Sequence, residues 1–368
     1  MRLGLEQEGW TVAYANDIDG LKRDMYLAHF GAENQLFVLD DIHKISGESI
    51  PTVSLGTASF PCNDLSLAGS RKGLAGKQSS AFWGFVRVID EMKERRPPLI
   101  LIENVPGFLT SHRGKDFREA MLSLNYLGYA VDAFIADAAW FVPQSRQRLF
   151  VVGSPQELMT CSDRQMFPDS VLRPPKLSDF IIGNPDVRWA LRSLPSPPRT
   201  RKKLPAILDD ISETSEVWWS DRRAAYLLNQ MSPRHLKTAK KMITTSQWSY
   251  GTVFRRVRNS RSMAELRVDG IAGCLRTPRG GSGRQILFKA GYGKFFVGLL
   301  TPRECARLMG APDYIINLRP NQALFGFGDA VCVPVIEWIA RTYLNPLLDE
   351  IQRKTCQANN VKERVAVA

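Results

Sequence analysis

The sequence lacks the residue patterns of metal and disulfide sites. Its four histidines lie far apart, and no two of its six cysteines have the CxxC spacing. Structural zinc sites and disulfide frameworks both need such clusters, so neither is expected. A chain without a disulfide framework suits a reducing compartment, and we therefore expect a cytoplasmic protein that binds no metal.

Long apolar runs are also missing. None approaches the ~20 residues that span a bilayer, and the first stretch, MRLGLEQEGW, is acidic and amphipathic rather than a signal peptide. No membrane association is expected. The composition, 44% hydrophobic and 23% charged over 368 residues, is typical of two globular domains or of one large α/β domain with an insertion.

Acidic residues are outnumbered, 37 against 49 Lys and Arg, which gives a formal charge of +12. A basic protein often binds nucleic acid. Charge alone, however, is equally consistent with a basic protein that has no such partner. Many of the cations fall in residues 234–284, where Trp248, Tyr250 and Phe254 are interleaved. Cations with aromatic residues indicate a nucleic-acid surface. A solvated basic loop is the alternative.

Short apolar runs alternate with helical patterns over residues 1–155. Strands are predicted over 11–17, 36–40, 52–60, 98–105, 129–137 and 147–154. This alternation indicates an α/β fold with a doubly wound, mainly parallel sheet. Ligands bind such sheets beyond the carboxyl ends of the strands, which is where Asp17, Cys62 and Glu103 fall.

The composition changes after residue 155. The proline-rich, basic stretch RSLPSPPRTRKKLP predicts a linker or an exposed loop. Regular structure is predicted to return at TPREC, whose threonine and glutamate fit a helix capping box. A last helix is predicted over 333–344, with fraying from Gln352 onward. The predicted units are a catalytic domain (1–155), an inserted smaller domain (156–298), a return to the catalytic domain (299–350) and a polar tail (351–368).

Three positions combine residue types that carry chemistry. In TASFPCNDLSLAGS, Cys62 follows an apolar strand and opens a polar loop, as a nucleophile would, although a lone cysteine is more often a buried hydrophobe. Glu103 ends another apolar strand, where partial loss of water suits a carboxyl group to donate a proton near neutrality; it could instead cap a helix. Gln144, Arg146 and Arg148 share one strand face, which suits a base edge or a phosphate, or else an exposed edge strand.

These blocks and their order resemble those of the cytosine-C5 DNA methyltransferases. The similar blocks are ANDID (15–19), DDI (40–42), FPCNDLS (60–66) with AGSRKGLAG after it, ENV (103–105), QSRQR (144–148), TPRECARLMGAPD (301–313) and FGDAV (327–331). The resemblance covers most of the chain. It implies a methyltransferase fold with a target-recognition domain inserted before TPREC, and TPRGGSGRQ (277–285) is similar to a piece of that domain.

The resemblance implies a DNA (cytosine-5-)-methyltransferase that flips a cytosine out of the duplex. Cys62 would add to C6 of the base, and Glu103 would hold or protonate N3. Arg148, together with Arg146, would contact the flipped base. Pro61 would fix the backbone before the nucleophile.

The resemblance also implies S-adenosylmethionine as the methyl donor. Asp17 would accept from its ribose, Ile18 and Ile42 would sandwich its adenine, Asp41 would accept from the adenine amino group, and Asp329 would lie near the methionine end. Double-stranded DNA is the implied partner of a monomeric enzyme, with a cognate restriction endonuclease as functional partner. The residues expected on DNA are Gln144, Arg71, Lys72, Arg276, Arg279 and Arg284.

The chain departs from the family pattern at two places. MRLGLEQEGW resembles the family's first helix, so the first strand and its FxGxGG turn are missing. A misassigned start, a piece supplied by another polypeptide, or an inactive copy would each explain this; we favour the first, because every later catalytic residue is present. Asp329 stands where the family has asparagine, and an acid there would repel the cofactor's carboxylate or meet its ammonium.

Three other functions remain to be compared with this one. A tRNA-methylating relative would use the same nucleophile block, but its Cys-Phe-Thr signature is not found. A truncated copy could bind DNA through its basic region without holding the cofactor. A thiol protease or redox enzyme would need a partner histidine or cysteine, and none stands in such a context.

Overall fold

The computed structural model describes residues 1–31, 36–60, 81–156, 170–258, 260–277 and 284–365. The helices are α1 (Arg2–Glu6), α2 (Gly20–Phe30), α3 (Ala81–Glu91), α4 (Lys115–Tyr126), α5 (Pro175–Gly183), α6 (Asp221–Asn229), α7 (Pro233–Ile243), α8 (Pro302–Leu308), α9 (Pro320–Asp329), α10 (Val333–Ile339) and α11 (Asn345–Val365). The strands are β1 (Ala15–Asp17), β2 (Phe37–Leu39), β3 (Leu55–Ser59), β4 (Leu99–Asn104), β5 (Tyr129–Asp137), β6 (Gln147–Pro155), β7 (Ser249–Arg258), β8 (Arg261–Arg267), β9 (Ile286–Gly291) and β10 (Lys294–Leu299).

The first six strands make the predicted α/β fold with a mainly parallel sheet. β1 pairs with β2 in parallel, and a second sheet has the order β3-β4-β6-β5. In that sheet β3 and β4 are parallel, while β6 runs antiparallel to both β4 and β5. Three of its four strands therefore share one direction, and their carboxyl ends meet at one edge.

The two sheets are separated by a break between β1 and β3. Among the described residues, each of these strands pairs with one neighbour, although both contribute to the wall of the same cavity. β4 is buried along its whole length, whereas β3 is partly exposed throughout. β3 thus has the burial of an edge strand, since only one of its sides is covered by a neighbour.

Three apolar clusters show where the domains divide. Two lie on the faces of the β3-β4-β6-β5 sheet, and the third lies on the sheet β10-β9-β7-β8 with α6 and α7. The segment after residue 170 packs on the first two clusters through Leu172, Leu177 and Trp189, and so does Leu204 further on. The boundary predicted at 156 is therefore too early, because the separate core of the inserted domain begins only near Trp219.

The carboxyl-terminal helices agree with the sequence at their start and differ at their end. Thr301 and Glu304 form the predicted capping box at the start of α8. α10 continues through one π-helical turn (Ala340–Leu344) into α11, which reaches Val365. The predicted end at 344 is wrong, since Leu347 and Ile351 continue the apolar face that packs on the first cluster. The backbone from Gln352, where fraying is expected, is helical as far as Val365.

One helical stretch, Pro320–Lys354, is long and apolar enough to cross a membrane by length and composition alone. Its most apolar window is 61% buried inside the protein, and Ile336 and Leu344 in this stretch are fully buried in the first cluster. A core helix has the same composition as a spanning helix, so this stretch is weak evidence for a membrane span.

Gly310 after α8 provides a stability test. Its φ is +74°, and a Cβ placed there would stand 2.2 Å from Cδ of Pro334. Gly128 has φ +94°, and a Cβ placed there would have no atom within 4 Å. We expect Gly128→Ala to cost roughly 1–2 kcal/mol in the free energy of unfolding, from backbone strain alone. Gly310→Ala should cost about 1–3 kcal/mol more, because the methyl group must displace the proline.

Urea unfolding of both variants measures this difference. Equal losses of unfolding free energy for Gly310→Ala and Gly128→Ala would show that α8 and Pro334 do not pack as described.

Candidate active site

Most of the residues predicted to act together lie around one cavity of about 2830 Å³. It extends along β1 and β3 and includes their carboxyl ends and that of β4, the edge at which ligands of parallel sheets bind. Cys62, Pro61, Arg71, Lys72 and Arg279 fall outside the described residues. The predicted residues that line the cavity are Asp17, Ile18, Asp41, Ile42, Glu103, Arg146, Arg148, Arg276 and Asp329.

Glu103 is held from both sides at the end of β4. Ser59 lies opposite it on β3, and the Ser59 hydroxyl donates to Glu103 Oε2. On the other side, Arg148 of β6 places its Nε 2.8 Å from Glu103 Oε1. Glu103 is 4% exposed, so a carboxylate there needs these two donors. Alternation along β6 puts Arg148 on the same face as Phe150, the partner of Glu103, which explains why they meet.

Asn104 fixes the chain just before the predicted nucleophile. Its amide donates to the carbonyl oxygen of Phe60 at 3.3 Å, and its own Oδ1 accepts from the backbone of Val105 at 2.8 Å. The Phe60 ring packs against Phe82 and Phe108, with centroids 5.4 and 5.6 Å away. Residue 60 is therefore anchored beside Glu103, and Cys62 follows it by two residues.

Arg146 borders the cavity, but its guanidinium is bound to backbone carbonyl groups and is not free to contact a base as expected. It is 3% exposed, and its guanidinium donates to the carbonyl oxygens of Leu275 at 2.7 Å, Gly328 at 3.1 Å and Ala330 at 2.6 Å. Burial lowers the pKa of Arg146, and the neighbouring charge of Arg148 adds to this effect. The arrangement assigns Arg146 to joining three chain segments and leaves Arg148 as the arginine at the carboxylate.

The prediction that Gln144 contacts DNA is wrong. It is fully buried, its Nε2 donates to the carbonyl oxygen of Leu308 at 2.7 Å, and its Oε1 accepts from the backbone of Leu275 at 3.0 Å. Its amide is therefore used inside the protein. The strand-face pattern could not reveal this, because β6 begins only at Gln147 and residue 144 precedes it.

The other end of the cavity has the predicted acids and isoleucines. Asp17 Oδ1 accepts from the backbone of Asp19 at 2.9 Å, and Asp41 Oδ1 accepts from the backbone of His43 at 3.0 Å. Ile18 is 68% exposed in the cavity wall. Ile42 packs against Gly84 of α3, where an added Cβ would lie 2.7 Å from its Cγ2.

Positive charge borders the cavity on the side of the inserted domain. Arg276 is exposed and lines it, as do Phe254, Arg255 and Arg256 of β7. Arg284 does not line the cavity but borders, together with Arg276, a second, small pocket. Sequence reasoning missed Cys274 in this region. Burial would raise the pKa of its thiol, but Arg146, Arg148 and Arg276 outweigh that effect and lower it.

Comparisons with known proteins agree with this geometry. A family model described as C-5 cytosine-specific DNA methylase matches residues 1–345. Type II methyltransferase M.BsuFI of Bacillus subtilis is 32% identical over 356 residues, which cover 95% of this chain and 70% of that protein. Type II methyltransferase M.HhaI of Haemophilus parahaemolyticus is 26% identical over 341 residues, covering 92% and 89%.

Solved structures share the fold. The S. pombe Dnmt2 methyltransferase superimposes with a TM-score of 0.62 at 19% identity, covering 94% of this chain and 95% of that chain. A DNA modification methyltransferase encoded within an E. coli prophage has a TM-score of 0.53 at 20% identity, with the same coverage. In the part of the chain that is described, no group of three metal-ligating side chains occurs.

Arg146→Met tests the joining role of Arg146. The change leaves the three buried carbonyl groups without their donor, and each such group costs ~1–3 kcal/mol. We expect the free energy of unfolding to fall by about 3 kcal/mol or more in urea titrations. Arg258→Met is the matched control, because this arginine is 60% exposed and pairs with Glu265 at the surface; it should cost less than ~1 kcal/mol. Similar losses for both variants would contradict the buried role.

Proposed function

Because the chain belongs to the C-5 cytosine-specific DNA methylase family, we propose that its cavity is where DNA cytosine is methylated, with Cys62 as nucleophile and Glu103 as the acid that binds the base. The chain is thus an enzyme that methylates cytosine of DNA at carbon 5. The observation that carries the assignment is the Glu103 carboxyl group, held by Arg148 and Ser59 beside the residue that leads to Cys62.

The chemistry starts from the low reactivity of carbon 5 in a resting cytosine. The Cys62 thiolate adds to C6, while Glu103 donates a proton to N3. The ring then becomes an enamine, whose C5 is nucleophilic. S-adenosylmethionine supplies the methyl group. Solvent water then takes the C5 proton, the electron pair of that C–H bond expels the Cys62 thiolate from C6, and the N3 proton returns to Glu103, which restores the aromatic ring. Arg148 orients Glu103 and contacts the base, which must leave the helix to reach this depth.

The cavity residues fit S-adenosylmethionine as donor. Asp17 at the end of β1 offers acceptors for ribose hydroxyl groups, and Asp41 offers one for the adenine amino group. Ile18, an exposed apolar side chain in the wall, and Ile42 supply the two apolar surfaces that a flat adenine needs. Asp329 accepts from the hydroxyl group of Thr277, the neighbour of Arg276, and would lie at the methionine end of the cofactor.

The basic rim supports duplex DNA as the partner. Arg276 and the β7 arginines line the cavity on the side of the inserted domain, which we assign to target recognition. Arg71, Lys72, Arg279 and Arg284 complete the proposed surface. We further propose a monomeric cytoplasmic enzyme that protects DNA against a cognate restriction endonuclease, as the names of its Type II relatives favour.

Full activity is proposed to need one more strand between β1 and β3. Both strands present an edge without a described neighbour to the same cavity, and a parallel strand there would join the two sheets into one. A glycine turn at its carboxyl end would lie near the Glu103 end of the cavity and allow close approach of backbone amides to a ligand.

Methyl transfer from labelled S-adenosylmethionine to mixed-sequence duplex DNA tests the proposed chemistry. The assay compares residues 1–368 with the same chain extended at its amino end by an apolar strand and a glycine turn. Cys62→Ser should reduce the rate of methyl transfer at least 10³-fold, roughly the loss that follows removal of a catalytic nucleophile, while DNA binding stays intact.

Undiminished transfer by Cys62→Ser would refute the mechanism. If only the extended chain transfers methyl groups, the strand proposal and the mechanism both stand. If neither transfers them while both bind DNA, an inactive DNA-binding copy is the better description.

Arg276→Met tests the DNA surface. Each phosphate contact contributes about one unit to the slope of log K against log salt concentration. We expect weaker duplex binding and a slope smaller by ~1, measured by fluorescence anisotropy across a salt series. Arg118→Met is the matched control, because Arg118 pairs with Asp186 away from the cavity. An unchanged slope in Arg276→Met would place the DNA elsewhere.

A further inference from the structure

A lysine stands between two of the predicted cofactor-binding acids. Lys22 Nζ lies 3.2 Å from Asp329 Oδ2 and 3.5 Å from Asp17 Oδ2. Burial alone would lower the pKa of Lys22, but Asp17 and Asp329 outweigh it and raise the pKa. The ammonium group is therefore firmly charged and compensates two carboxylates at once.

The three charged groups come from separate parts of the fold. Asp17 ends β1, Lys22 lies in the first turn of α2, and Asp329 is the last residue of α9. A cation in the first turn of a helix opposes the helix dipole. Its position is therefore explained by the two acids, which would repel each other without it.

Asp329 extends this contact to the loop that bears the proposed DNA-binding arginine. The Thr277 hydroxyl donates to Asp329 Oδ1. The preceding Gly328 lies so close to the same loop that an added Cβ would stand 2.5 Å from the Thr277 nitrogen and 2.6 Å from the Arg276 carbonyl carbon. A continuous set of contacts thus runs from β1 through Lys22 and Asp329 to Arg276.

We propose that Lys22 is a positioning residue that neutralises Asp17 and Asp329 together, so that the cofactor site tolerates an acid at position 329 and stays joined to the Arg276 loop. This rests on the proposed function, because the ligand is S-adenosylmethionine. Without Lys22, two unpaired carboxylates would face a cofactor that carries a carboxylate of its own. With Lys22 present, each Asp17 oxygen already has one partner and can still accept from a ribose hydroxyl through its second lone pair, and Asp329 keeps Thr277 in place.

The test is a double-mutant cycle read by titration calorimetry with S-adenosylmethionine. Lys22→Met should weaken binding about tenfold, which is ~1.4 kcal/mol, and the loss should shrink at high salt. Adding Asp329→Asn to Lys22→Met removes the unpaired acid, so affinity should recover to within about threefold of the unaltered chain. Lys22→Arg keeps the charge and should retain affinity. Lys294→Met, which removes a lysine from a surface pair with Glu213, is the matched control and should change nothing.

Two results overturn the proposal: no loss in Lys22→Met, or a double variant as weak as Lys22→Met. A purely structural role would lower the unfolding temperature of Lys22→Met without the rescue of affinity by Asp329→Asn.

An unaltered chain that binds no S-adenosylmethionine would instead count against the proposed function. The pair is then judged by the same cycle in urea unfolding. Coupling between positions 22 and 329 supports it, and strictly additive losses of unfolding free energy overturn it.

Discussion

The shape of the candidate active site depends on the hydrogen bonds of one buried group, the guanidinium of Arg146. It reaches from the start of β6 to the carbonyl groups of Leu275, Gly328 and Ala330. These groups belong to the inserted region and to the end of α9, which are far apart in sequence. One planar cation with several fixed donors can join such segments where a lysine could not. The cavity keeps its shape because three walls share this side chain.

Arg146 and Arg148, which are neighbours in this site, have different roles. They are two residues apart, yet the two terminal nitrogens of Arg146 donate to backbone carbonyl groups, whereas Arg148 faces Glu103. Burial, and after it the charge of Arg148, lowers the pKa of Arg146. Against the effect of burial, the positive charges of both arginines and of Arg276 lower the pKa of the Cys274 thiol. The site is therefore electropositive where a negatively charged DNA strand would approach, and the buried acid at its centre is already compensated.

Sequence patterns predicted local features better than burial. β5 and β6 were expected almost to the residue because each is a long apolar run, and the α8 capping box followed from residue types at fixed spacing. Glu103 is predicted from its place at the end of an apolar strand, and Arg148 from the strand-face pattern and the family resemblance. The burial of Gln144 and Arg146 is not predictable from local sequence, since their partners are distant. Gln144 bonds to Leu275 and Leu308, 131 and 164 residues further along the chain, and Arg146 bonds to Leu275 and Gly328, 129 and 182 residues further along. The domain boundary is misplaced for the same reason: the composition changes after residue 155, but Leu177 and Trp189 beyond it still pack on the sheet.

The break between β1 and β3 has a consequence for handling the protein in solution. Strand edges without a partner recruit strands from other molecules. Among the described residues the facing edges of β1 and β3 have no partner, and neither strand carries a lysine or a proline to prevent such pairing. Residues 1–368 alone should therefore self-associate as concentration rises, and the backbone amides of β3 should exchange with deuterium sooner than those of the enclosed β4. The concentration of the protein therefore decides how much of it is self-associated in an experiment.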